Sequence, residues 1–350
     1  MVSETRSIIK AVLLFTGSAF ALSASAQSTK LTVAMYGGNW GDAFRSCVAE
    51  PFTKATGIAV IPEIGTSTTT LAKLQQQKSA PSIDVAWMDG GISELANQAG
   101  VVDNLDPVAI PNLKNVIPKA VYRSGNTTYA VGSGYYSLGL TYSTKAIKHA
   151  PTSWQDLWKP EYAGAVAVPS PTNSSGVPFV VFMARVLGVN PANLAPVYSK
   201  LGALDTALFF DSSGAATNAF QSGEAVIGAH FNVGAWDLID KGVPIAFVVP
   251  KEGVWATDAR LHLVKGSRNK IAAEKFINSA LTPEVATCLA TKLYLGPAIQ
   301  GVKVSSDVAR KLPWGVNGSV DNLSLFDWNA INARRTEITD AWNRQVAQKR

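Results

Sequence analysis

The sequence predicts an α/β protein in which largely parallel sheets carry helices on their faces. Apolar segments of strand length alternate with segments of helical periodicity between residues 30 and 98, and a second set of this kind occupies about 135–258. Such alternation is typical of parallel sheets with crossover helices. The chain has 350 residues, of which 47% are hydrophobic and 16% charged. This composition excludes a disordered protein, and the length favours two domains.

The first set of elements predicts where a ligand would bind. Its strands and helices alternate along the chain in the order 31–36, 42–56, 58–64, 66–78, 83–88 and 92–97. The three strands end in glycine or polar residues, at 36–40, 65–69 and 89–91. Because ligands of parallel sheets lie beyond the carboxyl ends of the strands, these turns are the expected site.

The second set is less regular. An extended segment at 129–142 is expected to cross between the two sets, and Ser153 is placed to cap a short helix. The remaining strands are predicted at 165–168, 225–230 and 245–249. The remaining helices are predicted at 153–158, 178–187, 191–201, 234–241, 271–281, 283–292 and 327–349.

The first 26 residues have the three parts of a secretory signal peptide. Arg6 and Lys10 supply positive charge, an apolar stretch follows at 11–22, and the A-x-A sequence at 24–26 matches a cleavage signature. The alternative, a membrane anchor, needs about 20 apolar residues, and this stretch is shorter. We therefore expect cleavage after Ala26 and a soluble mature protein in the bacterial periplasm.

Charge and motifs argue against several functional classes. The formal net charge is +6, and the basic residues are scattered, so nucleic-acid binding is not favoured. The sequence lacks the metalloprotease, α/β-hydrolase and phosphate-binding-loop motifs. His149, His230 and His262 are far apart, and the two cysteines lack zinc-site spacing, so no metal or cofactor is expected. Asp89 and Asp258 leave open a secreted hydrolase that uses paired carboxylates.

Aromatic residues recur near the predicted strand ends. They are Tyr36, Trp40, Tyr135, Tyr136, Trp236 and Trp255. Each one alone is typical of a buried core. Several aromatic faces together with a carboxylate, however, bind organic cations through cation–π attraction and ion pairing. The pattern therefore points to a small cationic ligand.

Three stretches of the chain resemble a known family. They are YGGNWGDAFRSCVAEPFTKATGI at 36–58, PTSWQDLWKPEYAGAVAVP at 151–169, and a third that runs from 222–253 through 275–290 to YLGP at 294–297. Together they resemble the extracellular solute-binding proteins of ABC importers, specifically the spermidine/putrescine-binding-like group. The resemblance covers nearly all of the chain that follows the signal peptide.

The resemblance implies a two-lobed periplasmic-binding-protein type II fold. Each lobe has a central, mostly parallel sheet flanked by helices, and crossing strands form a hinge. The implied lobes are 27–134 plus 260–303 and 135–259 plus 304–350. Cys47 and Cys288 then fall in the same lobe. In an oxidising compartment they form either a disulfide or two buried free thiols, and the sequence leaves this open.

The resemblance also implies a ligand-binding set in the cleft between the lobes. Trp40 matches a ligand-stacking aromatic, Asp89 a polar contact, and Asp258 a carboxylate that takes an ammonium group. The full set is Tyr36, Trp40, Thr66, Ser67, Asp89, Tyr135, Tyr136, Trp236, Trp255, Asp258 and Arg260. The chain departs from the group's pattern because the loop 169–176 has no carboxylate. Arg260 is expected to share a face with Asp258, and an arginine in the cleft favours a ligand with a carboxylate.

The expected function is that of a non-enzymatic periplasmic receptor. It would bind a small amine-bearing solute, such as a polyamine or an amino-acid derivative, close about a hinge, and deliver the solute to a membrane permease. The chain is expected to act as a monomer. The alternatives are an iron receptor, a thiamine receptor, a secreted hydrolase and a structural envelope protein. An iron receptor would need clustered tyrosine or histidine ligands, and Tyr135 and Tyr136 are the adjacent tyrosine pair.

Overall fold

The computed structural model describes residue 1 and residues 30–349. Apart from Met1, the predicted signal peptide and its cleavage site after Ala26 lie outside the described residues. Within the described part, no helix combines the length and the apolar character that a bilayer crossing requires.

The described chain alternates strands and helices close to the predicted bounds. The strands are β1 (Lys30–Met35), β2 (Ala59–Ile64), β3 (Val85–Asp89), β4 (Val121–Ser124), β5 (Thr127–Ser143), β6 (Val166–Pro169), β7 (Thr206–Phe210), β8 (Ile227–Phe231), β9 (Ile245–Val248), β10 (Trp255–Leu263) and β11 (Gly296–Pro297). The α-helices are α1 (Gly38–Phe44), α2 (Glu50–Thr56), α3 (Ser67–Gln76), α4 (Ile92–Gln98), α5 (Gly176–Val186), α6 (Ala195–Gly202), α7 (Ser213–Ser222), α8 (Asn232–Asp240), α9 (Lys270–Ala280), α10 (Pro283–Leu293), α11 (Ser306–Lys311), α12 (Trp328–Ala333) and α13 (Arg335–Gln345). Short 3-10 helices lie at Pro111–Asn115, Pro118–Ala120, Trp154–Trp158, Pro160–Tyr162, Val320–Asn322 and Ala347–Lys349.

One continuous sheet has the order β2-β1-β3-β10-β5-β8-β6-β7, with β4, β9 and β11 also paired to β5. The strands β1, β2 and β3 are joined by parallel pairing, and so are β6, β7 and β8. We call the part built on β1–β3 the first lobe and the part built on β6–β8 the second lobe. The strands β5 and β10 run antiparallel between them. The predicted α/β class and two-lobed arrangement are confirmed.

The strand β5 is the structural link between the lobes. It has 17 residues and is buried along most of its length. Its first half pairs with β4, β10 and β11, and its second half pairs with β8 and β9. Glycines permit close packing at this crossing, since a Cβ on Gly132 would lie 2.7 Å from Asp258 Oδ2 and one on Gly134 would lie 2.9 Å from Leu295 Cβ.

The predicted helix at 42–56 is an element in three parts. A π-helical turn at Arg45–Ala49 joins α1 to α2. Pro51 lies in the first turn of α2 and has no N–H to donate to the preceding turn. A π-helical turn keeps the chain helical with a different hydrogen-bond spacing, so the element continues through this position.

The elements that the sequence does not predict include β10, α11, and β7 and α7 of the second lobe. The helix α7 reads SGAATNAFQS, and its Ser, Gly, Thr and Asn residues have low helix propensity. Ser212 caps the helix by accepting a hydrogen bond from Ala215 N at 3.2 Å, and Gly223 ends it with φ of 80°. Ala219 and Phe220 are buried. Capping and tertiary packing therefore override the local propensity.

Cys47, in the π-helical turn, and Cys288, in α10, form a disulfide. Their Cα atoms are 5.8 Å apart, and 241 positions separate them along the chain. Lys292 Nζ donates to Ser46 Oγ at 2.8 Å across the same two helices. The bridge therefore ties the helical element after β1 to α10.

We expect removal of this disulfide to destabilise the protein. The double variant Cys47→Ala, Cys288→Ala loses a link that closes a long loop and constrains the unfolded chain. The free energy of unfolding, measured by urea denaturation, should fall by about 2–4 kcal/mol. Reductant should lower the stability of the wild-type protein to that of the double variant and leave the variant unchanged. Equal stability of the two proteins under oxidising conditions would contradict this account.

Candidate functional site

A cavity of about 750 Å³ opens between the two lobes. Its walls come from the turns after β1, β2 and β3 in the first lobe and from those after β6, β7 and β8 in the second. This is the edge at which parallel strands present their carboxyl ends. The turns at 36–40, 65–69 and 89–91, which the sequence identifies as the expected site, all contribute to the cavity wall.

Asp89, the last residue of β3, lies where the two lobes meet and is 7% exposed. Tyr36 Oη donates to Oδ1 at 2.6 Å, and Tyr136 Oη donates to the same oxygen. Ser174 Oγ, from the second lobe, donates to Oδ2 at 2.6 Å. The backbone N–H of Asp89 donates to Ser67 Oγ at 2.9 Å. Hydroxyl groups from both lobes therefore fix the orientation of this carboxylate.

The two tyrosines act as protonated donors to Asp89. Burial, and after it the charge of Asp89, raises the pKa of Tyr36 well above its usual value. The same two causes raise the pKa of Tyr136. Neither phenol therefore ionises in the physiological pH range, and both keep the hydrogen that they donate.

Four aromatic rings form the wall beside Asp89. The Trp40 ring lies 5.2 Å from the Tyr36 ring and 5.1 Å from the Tyr136 ring, and the Phe231 ring lies 4.9 Å from that of Tyr136. All three contacts are edge-to-face, the arrangement that aromatic pairs prefer. Such a wall offers apolar surface to methylene groups and π faces to an ammonium group.

Two helices begin at the cavity, one from each lobe. The helix α3 follows its capping residue Thr66, and α7 follows its capping residue Ser212. Ser67, Ser213 and Gly214 line the cavity, and their backbone N–H groups have no partner among the residues that the structure describes. Free N–H groups at the positive end of a helix favour a negatively charged group.

The charges of the cavity wall do not balance. Asp237 pairs with Lys241 at 2.8 Å. Burial lowers the pKa of His230 to about 4, so its ring is neutral near pH 7. Asp89 has no cationic partner within the described part of the chain. The described wall therefore carries one uncompensated negative charge.

Asp258 and Arg260, which the sequence analysis places in the cleft, lie instead in a buried ion network. Arg260 Nε contacts Asp258 Oδ1 at 2.8 Å, and its Nη1 contacts Glu94 Oε1 at 2.6 Å. The Tyr122 hydroxyl donates to Asp258 Oδ2 at 2.7 Å, and the guanidinium lies 3.4 Å from the centre of the Tyr122 ring. Burial alone would lower the pKa of the Arg260 guanidinium, but the charges of Asp258, Tyr122 and Glu94 together outweigh it and raise that pKa well above its usual value.

Sheet register explains this difference from the expectation. Ala259 lies opposite Asp89 in the pairing of β10 with β3. Successive side chains alternate between the faces of a strand, so Asp258 points away from the face that carries Asp89. Asp258 and Arg260 lie on the same face of β10, as their spacing predicts. Their charges therefore pair with each other and are not available to a ligand.

Tyr135 and Tyr136 point to opposite faces of β5. Tyr136 lines the cavity, whereas the Tyr135 ring lies 6.3 Å from that of Trp314. The adjacent pair therefore does not form a joint iron site. Among residues 30–349, no group of three or more His, Cys, Asp or Glu is arranged to hold a metal.

Trp255 and Trp236, also predicted to contact the ligand, lie outside the cavity. Trp255 is 1% exposed and packs against Phe231 and Trp328. Trp236 lines a separate cavity of about 530 Å³, with Lys311 Nζ 5.4 Å from its ring centre. The sequence places Trp236 after a strand and Trp255 near the start of one, but it does not show whether their side chains face the cavity.

Most of the second-lobe wall is missing from the predicted set. The residues concerned are Asn173, Ser174, Ser212, Ser213, Gly214, Thr217, Asn218, His230 and Phe231. They follow β6 and β7 or, like His230 and Phe231, end β8, as the predicted turns follow β1, β2 and β3. The strand-end rule applied to the second set identifies the turns after β6 and β8, but it misses Ser212 because β7 is not predicted.

The chain matches the family model for bacterial extracellular solute-binding proteins over residues 48–312. It is 28% identical over 303 residues to the spermidine/putrescine-binding periplasmic protein of Escherichia coli (strain K12), which covers 84% of this chain and 86% of the relative. It is 25% identical over 303 residues to the γ-aminobutyric acid-binding protein of Pseudomonas aeruginosa, with 81% of each chain covered. The crystal structure of an ABC transporter from Clostridium perfringens shares 27% identity and a TM-score of 0.68, covering 90% of this chain and 99% of that one.

The chain belongs to the bacterial extracellular solute-binding protein family, because the matched region spans well over half of its length. The resemblance to the spermidine/putrescine-binding-like group is confirmed. These relatives are named for the solutes that they bind and not for a reaction, so the hydrolase alternative is not favoured.

We expect the two aspartates to differ in their effect on stability. Asp258→Asn leaves the buried Arg260 with one carboxylate partner, and breaking such a pair costs about 3–5 kcal/mol. Asp89→Asn keeps an acceptor oxygen for the tyrosines and leaves no cation unpaired. Its free energy of unfolding should therefore fall by only about 1 kcal/mol. Urea denaturation of both variants measures the difference. A larger loss from Asp89→Asn would contradict the assignment of Asp258 to the buried network.

Proposed function

We propose that this protein is the periplasmic solute-binding component of an ABC importer and that its solute carries one ammonium and one carboxylate group. The observation that carries the proposal is the charge of the cavity wall, in which Asp89 lacks a cationic partner among the described residues. An ammonium group that reaches Asp89 balances this charge. The aromatic wall around it adds cation–π attraction.

A diamine fits this cavity less well than a molecule with one ammonium group. A second ammonium group would need a second unpaired carboxylate. The loop 169–176 has none, and Asp237 already pairs with Lys241. The second lobe supplies hydroxyl groups such as that of Ser174 instead.

The carboxylate of the solute is proposed to bind at the start of α7. Arg260 already pairs with Asp258 and Glu94, so a different group must bind the carboxylate of the solute. The backbone N–H groups of Ser213 and Gly214 line the cavity at a helix start. Since helix N-termini bind carboxylates, this end of the second lobe complements Asp89 in the first.

Closure of the two lobes is proposed to bring these complementary groups together. Ser174 Oγ donates to Asp89 Oδ2 at 2.6 Å, and Thr68 Oγ1 donates to Thr172 O at 3.3 Å across the cavity. A solute held by Asp89 on one side and by α7 on the other binds this closed arrangement more tightly than an open one. It therefore shifts the population toward closure, with β5 and β10 as the hinge.

The proposed binding set combines predicted and newly found residues. It comprises Tyr36, Trp40, Thr66, Ser67, Asp89, Tyr136, Ser174, Ser213 and Gly214. We also propose lobe limits of 27–134 plus 260–303 and 135–259 plus 304–350. The packing of α10 on α1 and of α13 on α5 and α6 supports this division. Export is proposed to remove 1–26, and the mature chain is proposed to act as a monomer that docks on a membrane permease.

The named relatives support an amine-bearing solute. One is named for spermidine and putrescine and another for γ-aminobutyric acid. Each of these molecules carries a terminal amino group. The last of them also carries a carboxylate at its other end, which is the combination that the cavity of this chain favours.

A four-carbon series of compounds tests the proposal directly. The mature protein, unfolded, washed free of solute and refolded, is titrated by calorimetry with γ-aminobutyric acid, butylamine, putrescine and butyric acid. We expect γ-aminobutyric acid to bind most tightly, butylamine and putrescine more weakly, and butyric acid weakest, because each control lacks one of the two complementary groups.

Two matched variants identify the carboxylate that binds the amine. Asp89→Asn should weaken binding of γ-aminobutyric acid by at least about 30-fold, or about 2 kcal/mol, because a buried charge-assisted hydrogen bond is lost. Asp237→Asn, at the rim and paired to Lys241, should change it by less than about 5-fold. Tightest binding of putrescine, with loss of that binding in Asp237→Asn, would overturn the single-ammonium proposal.

A further inference from the structure

The C-terminal segment, defined as residues 326–345, is anchored on the second lobe. The Trp342 ring is buried and lies 5.1 Å from that of Phe209. Arg334 Nη1 donates to Pro191 O at 2.6 Å. The helix α13 packs against α5 and α6. The segment is thus positioned by the lobe that does not contain Asp89.

The same segment contacts the first lobe at the turn that follows Asp89. Asn332 Nδ2 donates to Gly91 O at 2.7 Å. The Trp328 ring covers Gly90 and Gly91, since a Cβ on Gly90 would lie 2.6 Å from Trp328 Nε1 and one on Gly91 would lie 2.8 Å from Trp328 Cε3. The helix α12 accordingly packs against both α4 and α5.

The turn also makes contacts on its other side, to α4 and β10. Gly91 has φ of 89°, which favours glycine, and its N–H donates to Glu94 Oε2 at 2.7 Å. Gly90 N donates to Asp258 O at 3.2 Å. A Cβ on Gly90 would also lie 2.6 Å from Arg260 Nη2. Because Asp89 directly precedes this turn, a shift of the turn moves the carboxylate.

We propose that Asn332 and Trp328 are positioning residues for the solute site, which hold the Gly90–Gly91 turn and so place Asp89 against its hydroxyl donors. The second lobe carries both residues, so rotation of one lobe relative to the other changes their contacts with the turn. Lobe closure and the position of the Asp89 carboxylate are thereby coupled. The inference rests on the proposed function only in that Asp89 is taken as the ligand contact.

Matched substitutions on α12 test this role. Asn332→Ala removes the donor to Gly91 O, and Asn332→Asp removes it while keeping an oxygen for Arg335 Nε, which donates to Asn332 Oδ1 at 3.0 Å. Asn329→Ala, on the exposed side of the same helix, is the control. Calorimetric affinity for γ-aminobutyric acid should fall about 5-fold in both Asn332 variants and stay unchanged in the control.

A residue that only supports the fold would lower the melting temperature without changing the affinity of the folded protein. Unchanged affinity in both Asn332 variants would therefore overturn the proposal. A ligand-free readout is the NMR resonance of the Tyr36 and Tyr136 hydroxyl protons that donate to Asp89. These resonances should move upfield in Asn332→Ala and remain in place in Asn329→Ala.

The two readouts separate failure of this inference from failure of the proposed function. If the wild-type protein binds none of the four-carbon amines, the proposed solute is wrong, and the hydroxyl resonances alone decide the positioning role. Resonances that are identical in the wild-type protein and Asn332→Ala would overturn the role in that case. Shifted resonances would support it whatever the solute is.

Discussion

The hydrogen bonds that Tyr36, Tyr136 and Ser174 donate to Asp89 join three parts of the molecule at one carboxylate. The donors come from the turn after β1, from the crossing strand β5, and from the second lobe. Because Asp89 is hydrogen-bonded to both lobes and to β5, its position depends on how the lobes are placed relative to each other. The closed arrangement of the cavity and the geometry of its charged group therefore depend on each other.

The second aspartate of the sheet centre, Asp258, differs from Asp89 in having a cationic partner. Asp258 and Glu94 share the charge of Arg260 in a buried network, where each ion would be costly without its partners. That network supports the turn behind Asp89 but offers no free charge to a solute. Separation of the two aspartates onto opposite faces leaves Asp89 without a cationic partner among the described residues and keeps Arg260 away from the cavity. The proposed selectivity for one ammonium group rests on this separation.

The strand-end rule locates the first-lobe half of the candidate site from sequence, because β1–β3 alternate clearly with helices. The sequence wrongly predicts Asp258 and Arg260 in the cavity because side-chain faces depend on the pairing of β10 with β3, which no local pattern reveals. The sequence does not predict Ser213, because α7 is stabilised by its cap and by burial rather than by helix propensity. The pairing of Cys47 required knowledge of which helices pack together. Local signals thus identify elements and strand ends, whereas face, register and long-range pairing need the structure.

The most direct test of the central claim is a crystal structure of the mature protein with γ-aminobutyric acid bound. We expect the ammonium nitrogen to lie about 3 Å from an Asp89 carboxylate oxygen, with the solute carboxylate at the start of α7. A complex in which the nitrogen contacts Asp237, or in which Asp89 keeps only its hydroxyl partners, would contradict the account. Either of those results would assign the uncompensated charge of Asp89 to the closure of the lobes alone.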